Sequence, residues 1–197
     1  MRFAYLGISA CILASPTSGA FASKIQDASF EAPVVPPGSE QTFNPGDGIG
    51  PWTVVGTGSV ALVGADFSLD DLSLQAKTGD QFIDLAGGRN THSGIEQTFK
   101  TQAGKSYFLW FRVGTLYDPA RGFGHNSTVT VTLDGVPQGF FKVMSTDKTP
   151  TEITWGRAGI FFTATGKQTT VDFKDADHPN DAFCGLDGVS LRAVRAP

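Results

Sequence analysis

Thr128-Val129-Thr130-Val131-Thr132-Leu133 alternates hydroxyl-bearing and apolar side chains, and Asp134-Gly135 follows at once. Period-two alternation places Val129, Val131 and Leu133 on one face, the signature of a half-buried strand. Asp-Gly tolerates the positive φ angles of a tight hairpin turn, so Pro137 to Val143 reads as the returning strand. Upstream, Tyr107-Phe108-Leu109-Trp110-Phe111-Arg112-Val113 is apolar on both faces, which predicts a central strand. Downstream, Ile160 to Ala164, the turn Thr165-Gly166-Lys167, and Thr169 to Phe173 repeat the strand–turn–strand plan. Further strands are predicted at 27–31, 52–55, 58–63, 81–86, 94–99, 153–157 and 185–194. The nearest approach to a helical stripe is Asp66 to Ala76, long enough for one turn. Ala32 to Pro51 reads as a long loop over the sandwich, and Gly114 to Asn126 as a second one. Many short strands divided by turns predict an all-β fold, an antiparallel β-sandwich or jelly roll.

Composition agrees. The 197 residues include 24 Gly, 11 Pro and 16 Phe, and only 17% are charged. Such a chain supplies turns and strands, and its 40% hydrophobic content suffices for a packed core. A formal charge of -4 lacks the basic footprint of a nucleic-acid binder.

Met1-Arg2 followed by an apolar run to Ala14, a break at Ser15 to Gly19, and Ala20-Phe21-Ala22 resembles a secretory leader with an A-x-A cleavage site. Residues 1–22 are thus expected to be removed, leaving a single domain over 23–197, secreted to the extracellular space or periplasm. The apolar run is too short to keep the cleaved protein in a membrane. Cleavage removes Arg2 and no acid, so the formal charge becomes -5, and it removes Cys11. Cys184 is then a lone thiol without an internal disulfide partner, expected to be buried.

The chemical motifs are sparse. Gly56-Thr57-Gly58-Ser59-Val60-Ala61 fits a dinucleotide fingerprint, but strand-like residues follow instead of the helix that would hold pyrophosphate, so a hairpin turn is expected. His92, His125 and His178 are widely separated and show no zinc spacing. Asp70 and Asp71 would face opposite ways in an extended chain, which does not suit paired-carboxylate glycoside hydrolysis. Asp175-Ala176-Asp177-His178-Pro179-Asn180-Asp181 is rich in oxygen ligands but lacks the Gly and Glu of a calcium-binding loop; it reads as a solvated turn. Aromatic side chains can stack on the apolar faces of sugars. Trp52, Tyr117, Phe123 and Trp155 are the candidates, while Trp110 reads as core. Tyr117 and Phe123 stand out because Asp118, Arg121, His125 and Asn126 share their polar loop.

Several segments together carry a resemblance. They are Phe30-Glu31-Ala32-Pro33, Gly48-Ile49-Gly50-Pro51-Trp52, Gly94-Ile95-Glu96-Gln97-Thr98-Phe99, Gly104 to Phe111, and Cys184-Gly185-Leu186-Asp187-Gly188-Val189. In order and spacing, over about residues 25–194, the chain resembles the domain-of-unknown-function 642 family, and within it the bacterial choice-of-anchor C group. The resemblance implies a galactose-binding-like jelly roll related to carbohydrate-binding modules, without an established catalytic activity. It also implies a structural Ca²⁺ between the first and last strands, with Glu31 and Asp187 as side-chain ligands. Gly188 stands where the family usually has a second Asp, and the anchor of the bacterial group has no counterpart here. The expectation is a secreted, non-catalytic module that binds cell-wall polysaccharide or glycoconjugate through Tyr117, Asp118, Arg121, Phe123, His125 and Asn126. A matrix protein with an extracellular protein partner, or a polysaccharide-acting enzyme, are the alternatives.

Overall fold

The computed structural model describes residues 24–87, 92–145, 152–177 and 183–194. The leader expected at 1–22, and His178 of the acidic segment, lie outside them. Among the described residues there is no helix, so none long and apolar enough to cross a membrane. Among the described residues, fourteen strands form two six-stranded sheets and one hairpin, and their pairings are antiparallel.

The first sheet runs, edge to edge, β1 (Glu40–Phe43), β4 (Val60–Val63), β7 (Phe82–Asp84), β14 (Gly185–Val194), β9 (Ser106–Thr115) and β12 (Thr154–Thr163). The second runs β11 (Val136–Met144), β10 (Asn126–Leu133), β13 (Gln168–Asp175), β8 (Gly94–Lys100), β3 (Trp52–Val55) and β2 (Gly48–Ile49). The hairpin joins β5 (Phe67–Leu69) to β6 (Leu72–Leu74). Consecutive strands mostly switch sheets, which makes this a jelly-roll sandwich.

Alternation builds the core. Ser127, Val129, Val131 and Leu133 of β10 are buried, and so are Tyr107, Leu109, Phe111 and Val113 of β9. Trp52 lies 5.4 Å from Phe30 and 6.1 Å from Phe173, and Phe111 packs edge-on against Phe173 at 4.9 Å. Each such ring contributes about 2–3 kcal/mol by leaving water, before conformational entropy is subtracted. A second cluster sits behind the first sheet. There Ala61 and Val63 of β4 meet Leu72, Leu74, Phe82, Leu116 and Phe183, which is why all four residues of β4 are buried. The β5–β6 hairpin therefore covers one half of that sheet's outer face.

The expected hairpin at Asp134-Gly135 forms, with φ of 50° and 77°, and joins β10 to β11. Other expectations need correction. Residues 27–31 form a turn, because the Asp27 carboxylate accepts hydrogen bonds from the Glu31 and Ala32 amides. That local side-chain bonding displaces the strand. The 66–76 segment is the β5–β6 hairpin instead of a helical turn, and the 32–51 loop contains β1 and β2. Segments 153–157 and 160–164 are one strand, β12. The connections at 56–59 and 164–167 are not hairpin turns, since each carries the chain from one sheet to the other.

Candidate functional site

The loop between β9 and β10 brings Tyr117, Asp118, Arg121, Phe123, His125 and Asn126 into one neighbourhood, but most of their polar groups serve the loop itself. Asp118 and Phe123 exchange backbone hydrogen bonds of 3.0 and 2.8 Å. The Asp118 carboxylate accepts from the Ala120 amide at 3.0 Å and from the Arg121 guanidinium, which holds its carboxyl below the usual carboxylate range. Arg121 also pairs with Asp70 at 2.8 Å and Asp71 at 3.3 Å, strapping the loop to the tip of the β5–β6 hairpin. The Phe123 ring leans on Phe183 in the second cluster. Tyr117 and His125 stack on one another at 3.6 Å and 13°, with His125 exposed. Asn126 begins β10, opposite Met144.

Glu31 and Asp187 hold one segment, residues 77–81, from its two ends. Glu31 Oε1 accepts the amides of Asp80 at 3.0 Å and Gln81 at 3.3 Å. Asp187 is fully buried: its Oδ2 accepts the amides of Lys77 and Thr78, each at 2.7 Å, and its Oδ1 accepts the Thr78 hydroxyl and the Gly188 amide. Burial lifts the Asp187 carboxyl to about 6, against the pull of those donors. A calcium ion needs six to eight oxygen lone pairs. Here hydrogen-bond donors occupy both Asp187 oxygens, so the pair does not fit calcium. Gly188, at φ 57°, turns the strand so that its amide reaches Asp187.

The face that sequence reasoning missed lies on the half of the first sheet away from the β5–β6 hairpin. The register of β14, β9 and β12 aligns Arg192, Phe108 and Phe161 in one row, and Ser190, Trp110 and Gly159 in the next. Phe108 stacks on Phe161 at 4.4 Å and 29°, and on Trp110 at 5.6 Å and 25°. The Arg157 guanidinium lies 5.6 Å from the Trp110 ring, and that of Arg192 lies 5.5 Å from Phe108 and 5.7 Å from Trp110. Gly159 makes room for this packing: a Cβ there would come within 2.7 Å of Phe108 Cζ. Phe161 is 71% exposed, and both arginines are exposed. Such contacts fix the rings side by side, with the cations beside their faces.

Phe161 also lines a cleft of about 320 Å³ where the edges β11 and β12 approach, shared with Asp134, Gln138, Thr163, Thr165 and Thr169. Aromatic rings thus lead into a pocket that carries hydroxyl, amide and carboxylate groups. Two expectations change accordingly. Trp110 is on the outer face instead of in the core, while Trp52 is 1% exposed and belongs to the core. Trp155 lies against Phe82 and across Gly114 and Gly185, with its indole N–H donated to the Gln75 carbonyl. The signal for the platform was present in the period of β9, where Phe108, Trp110 and Arg112 share one parity.

These features can be set beside known proteins. Residues 23–192 match the family described as "Protein of unknown function (DUF642)". The chain belongs to that family. No curated protein matches the chain. Among solved structures, this family member is similar to a Stig cyclase from Fischerella sp. TAU bound to an indole compound, with 15% identity, a TM-score of 0.61, and coverage of 89% of this chain and 98% of that one. A second Fischerella cyclase, bound to 4-(1H-indol-3-yl)butan-2-one, shows 14% identity and a TM-score of 0.59, with 90% and 100% covered. A family 35 carbohydrate-binding module from Clostridium thermocellum shows 17% identity and a TM-score of 0.48, with 78% and 97% covered. At these identities the cyclase likenesses show the fold alone.

Proposed function

We propose that this protein is an exported, non-catalytic module that binds polysaccharide or glycoconjugate across Phe108, Trp110 and Phe161. The observation that carries this reading is the stacked row of half-buried Trp110, half-buried Phe108 and exposed Phe161, which runs into the cleft beside Phe161. Pyranose rings present apolar C–H faces to such rings, and the threonine hydroxyls with Gln138 and Asp134 supply the orienting hydrogen bonds that sugar recognition needs. Export rests on the leader over residues 1–22. Affinity electrophoresis through gels containing plant-wall and bacterial polysaccharides tests the reading: retardation by at least one glycan is expected, and unretarded migration through all of them would end it.

A second reading has one observation of its own. Strand β11 is a sheet edge carrying Val136, Phe140 and Met144 at 60%, 76% and 62% exposure. An exposed apolar edge is suited to a protein partner in an extracellular matrix. A pull-down whose capture is insensitive to added sugar would favour it.

A further inference from the structure

Away from the ring face, where the second sheet passes into the first, Asp175 and Asp177 at the start of the acidic segment are buried instead of solvated. Asp175, the last residue of β13, is 2% exposed, Asp177 is 6% exposed, and Cys184, just before β14, is fully buried. One carboxylate oxygen from each aspartate and the Cys184 Sγ all lie within 4.8 Å of one another.

Asp175 Oδ1 accepts the Asp177 amide at 3.0 Å, but Oδ2 is buried without a hydrogen-bond partner. Asp84 of β7 faces the cluster from the first sheet, its Oδ1 accepting the Cys184 amide at 3.0 Å. His92 stands beside the aspartates, its Nδ1 3.4 Å from the Asp175 carbonyl oxygen. Burying carboxylates and a thiol side by side is costly unless a cation compensates them. Burial lifts the Asp175 carboxyl, and it lifts the Cys184 thiol well above its ordinary range.

We propose that Asp175, Asp177 and Cys184 form a binding site for a divalent metal ion of the zinc class. The donor set selects the ion, since a thiolate suits zinc while calcium and magnesium take oxygen ligands. Around a tetrahedral zinc, bonds of about 2.3 Å to sulfur and about 2.0–2.2 Å to oxygen set ligand atoms about 3.5 Å apart. The present atoms all lie within 4.8 Å of one another, so side-chain rotation that draws them together by about 1 Å closes the site. On binding, the Cys184 S–H bond breaks, a sulfur–metal bond forms and the proton leaves to solvent, with no change of oxidation state. Affinity therefore falls as pH is lowered. Because β13 and β14 belong to opposite sheets, the ion joins the two layers at this end of the sandwich. Histidine and cysteine spacing in the chain could not reveal the site, because its ligands meet only through the fold.

Cobalt(II) titration of the chelator-stripped, full-length mature protein is the test, with zinc displacing the cobalt. The expected result is a 1:1 complex with a thiolate-to-cobalt charge-transfer band, and a melting midpoint that rises with added zinc. In Cys184→Ser the band should vanish, and in Asp175→Asn the zinc affinity should drop by roughly tenfold or more. Absence of the band in the wild-type protein, which requires no variant to fold, would overturn the proposal. So would a band that survives in a folded Cys184→Ser protein.

Discussion

Phe161 on edge strand β12 stacks on Phe108 of β9 at 4.4 Å, and it also lines the cleft between β11 and β12. One ring therefore belongs to both the platform and the pocket, yet it is 71% exposed and contributes little to the core. Phe161→Ala should change folding stability by no more than about 1 kcal/mol. Chemical denaturation checks this, and a larger loss would mean that the ring is structural.

Arg121 separates the two surfaces on which a glycan could bind. Its guanidinium is engaged by Asp118, Asp70 and Asp71, all within its own loop and the β5–β6 tip. Arg121→Ala should raise proteolytic susceptibility around residues 117–125 and leave glycan binding unchanged. Binding that falls in this variant while the ring variants are unaffected would place the site on the loop.

Asp187 anchors residues 77–78 to the last strand. Asn in its place would turn an amide toward donors that are already N–H groups, so Asp187→Asn should cost about 2–4 kcal/mol. The pH dependence has a definite sign. Since the carboxyl rises from 3.8 to about 6 in the fold, the native state keeps a proton that the unfolded chain has released. This group's contribution to stability thus falls as pH rises from about 4 to about 6. Unfolding curves of wild type and variant should diverge in slope across that window, and parallel profiles would refute the assignment.

Added Ca²⁺ should leave the melting midpoint where it is, because amides occupy Glu31 Oε1 and, together with the Thr78 hydroxyl, both oxygens of Asp187. A ligand that binds the native state must raise the midpoint. A calcium-dependent rise, lost in Glu31→Gln, would show that the 77–81 segment yields to the ion.

Cys184 should resist alkylation in the native protein at mildly alkaline pH and react once the chain is unfolded, since it is fully buried and its thiol is pushed well above its ordinary range. Rapid labelling of the folded protein would contradict the packing of β14 against β9 and β7.

How much of this could be read beforehand follows from which residues decide each feature. Val129, Val131 and Leu133 alternate and Asp134-Gly135 closes the turn, so β10 and β11 are local in origin and legible. Burial of Cys184 was expected from its being a lone thiol without an internal disulfide partner, and it is buried. Sheet membership was not legible: Ala164 to Lys167 has the length of a hairpin turn, yet it carries β12 into β13 across the sandwich. Nor was Trp110. A strand apolar on both faces reads the same whether a second layer covers its outer side or the β5–β6 hairpin stops short of it. Asp175 and Asp177 looked like solvated acids because what encloses them comes from β7, β10 and β14.

The central claim is that glycans bind on the rings of Phe108, Trp110 and Phe161. Isothermal titration of the mature protein with the polysaccharide that retards it, in wild type and in Phe161→Ala, tests this most directly. Losing one stacking ring is worth about 1 kcal/mol, so the account expects affinity to fall by roughly fivefold or more while the variant stays folded. Equal affinity in a folded Phe161→Ala and a folded Trp110→Ala would contradict it.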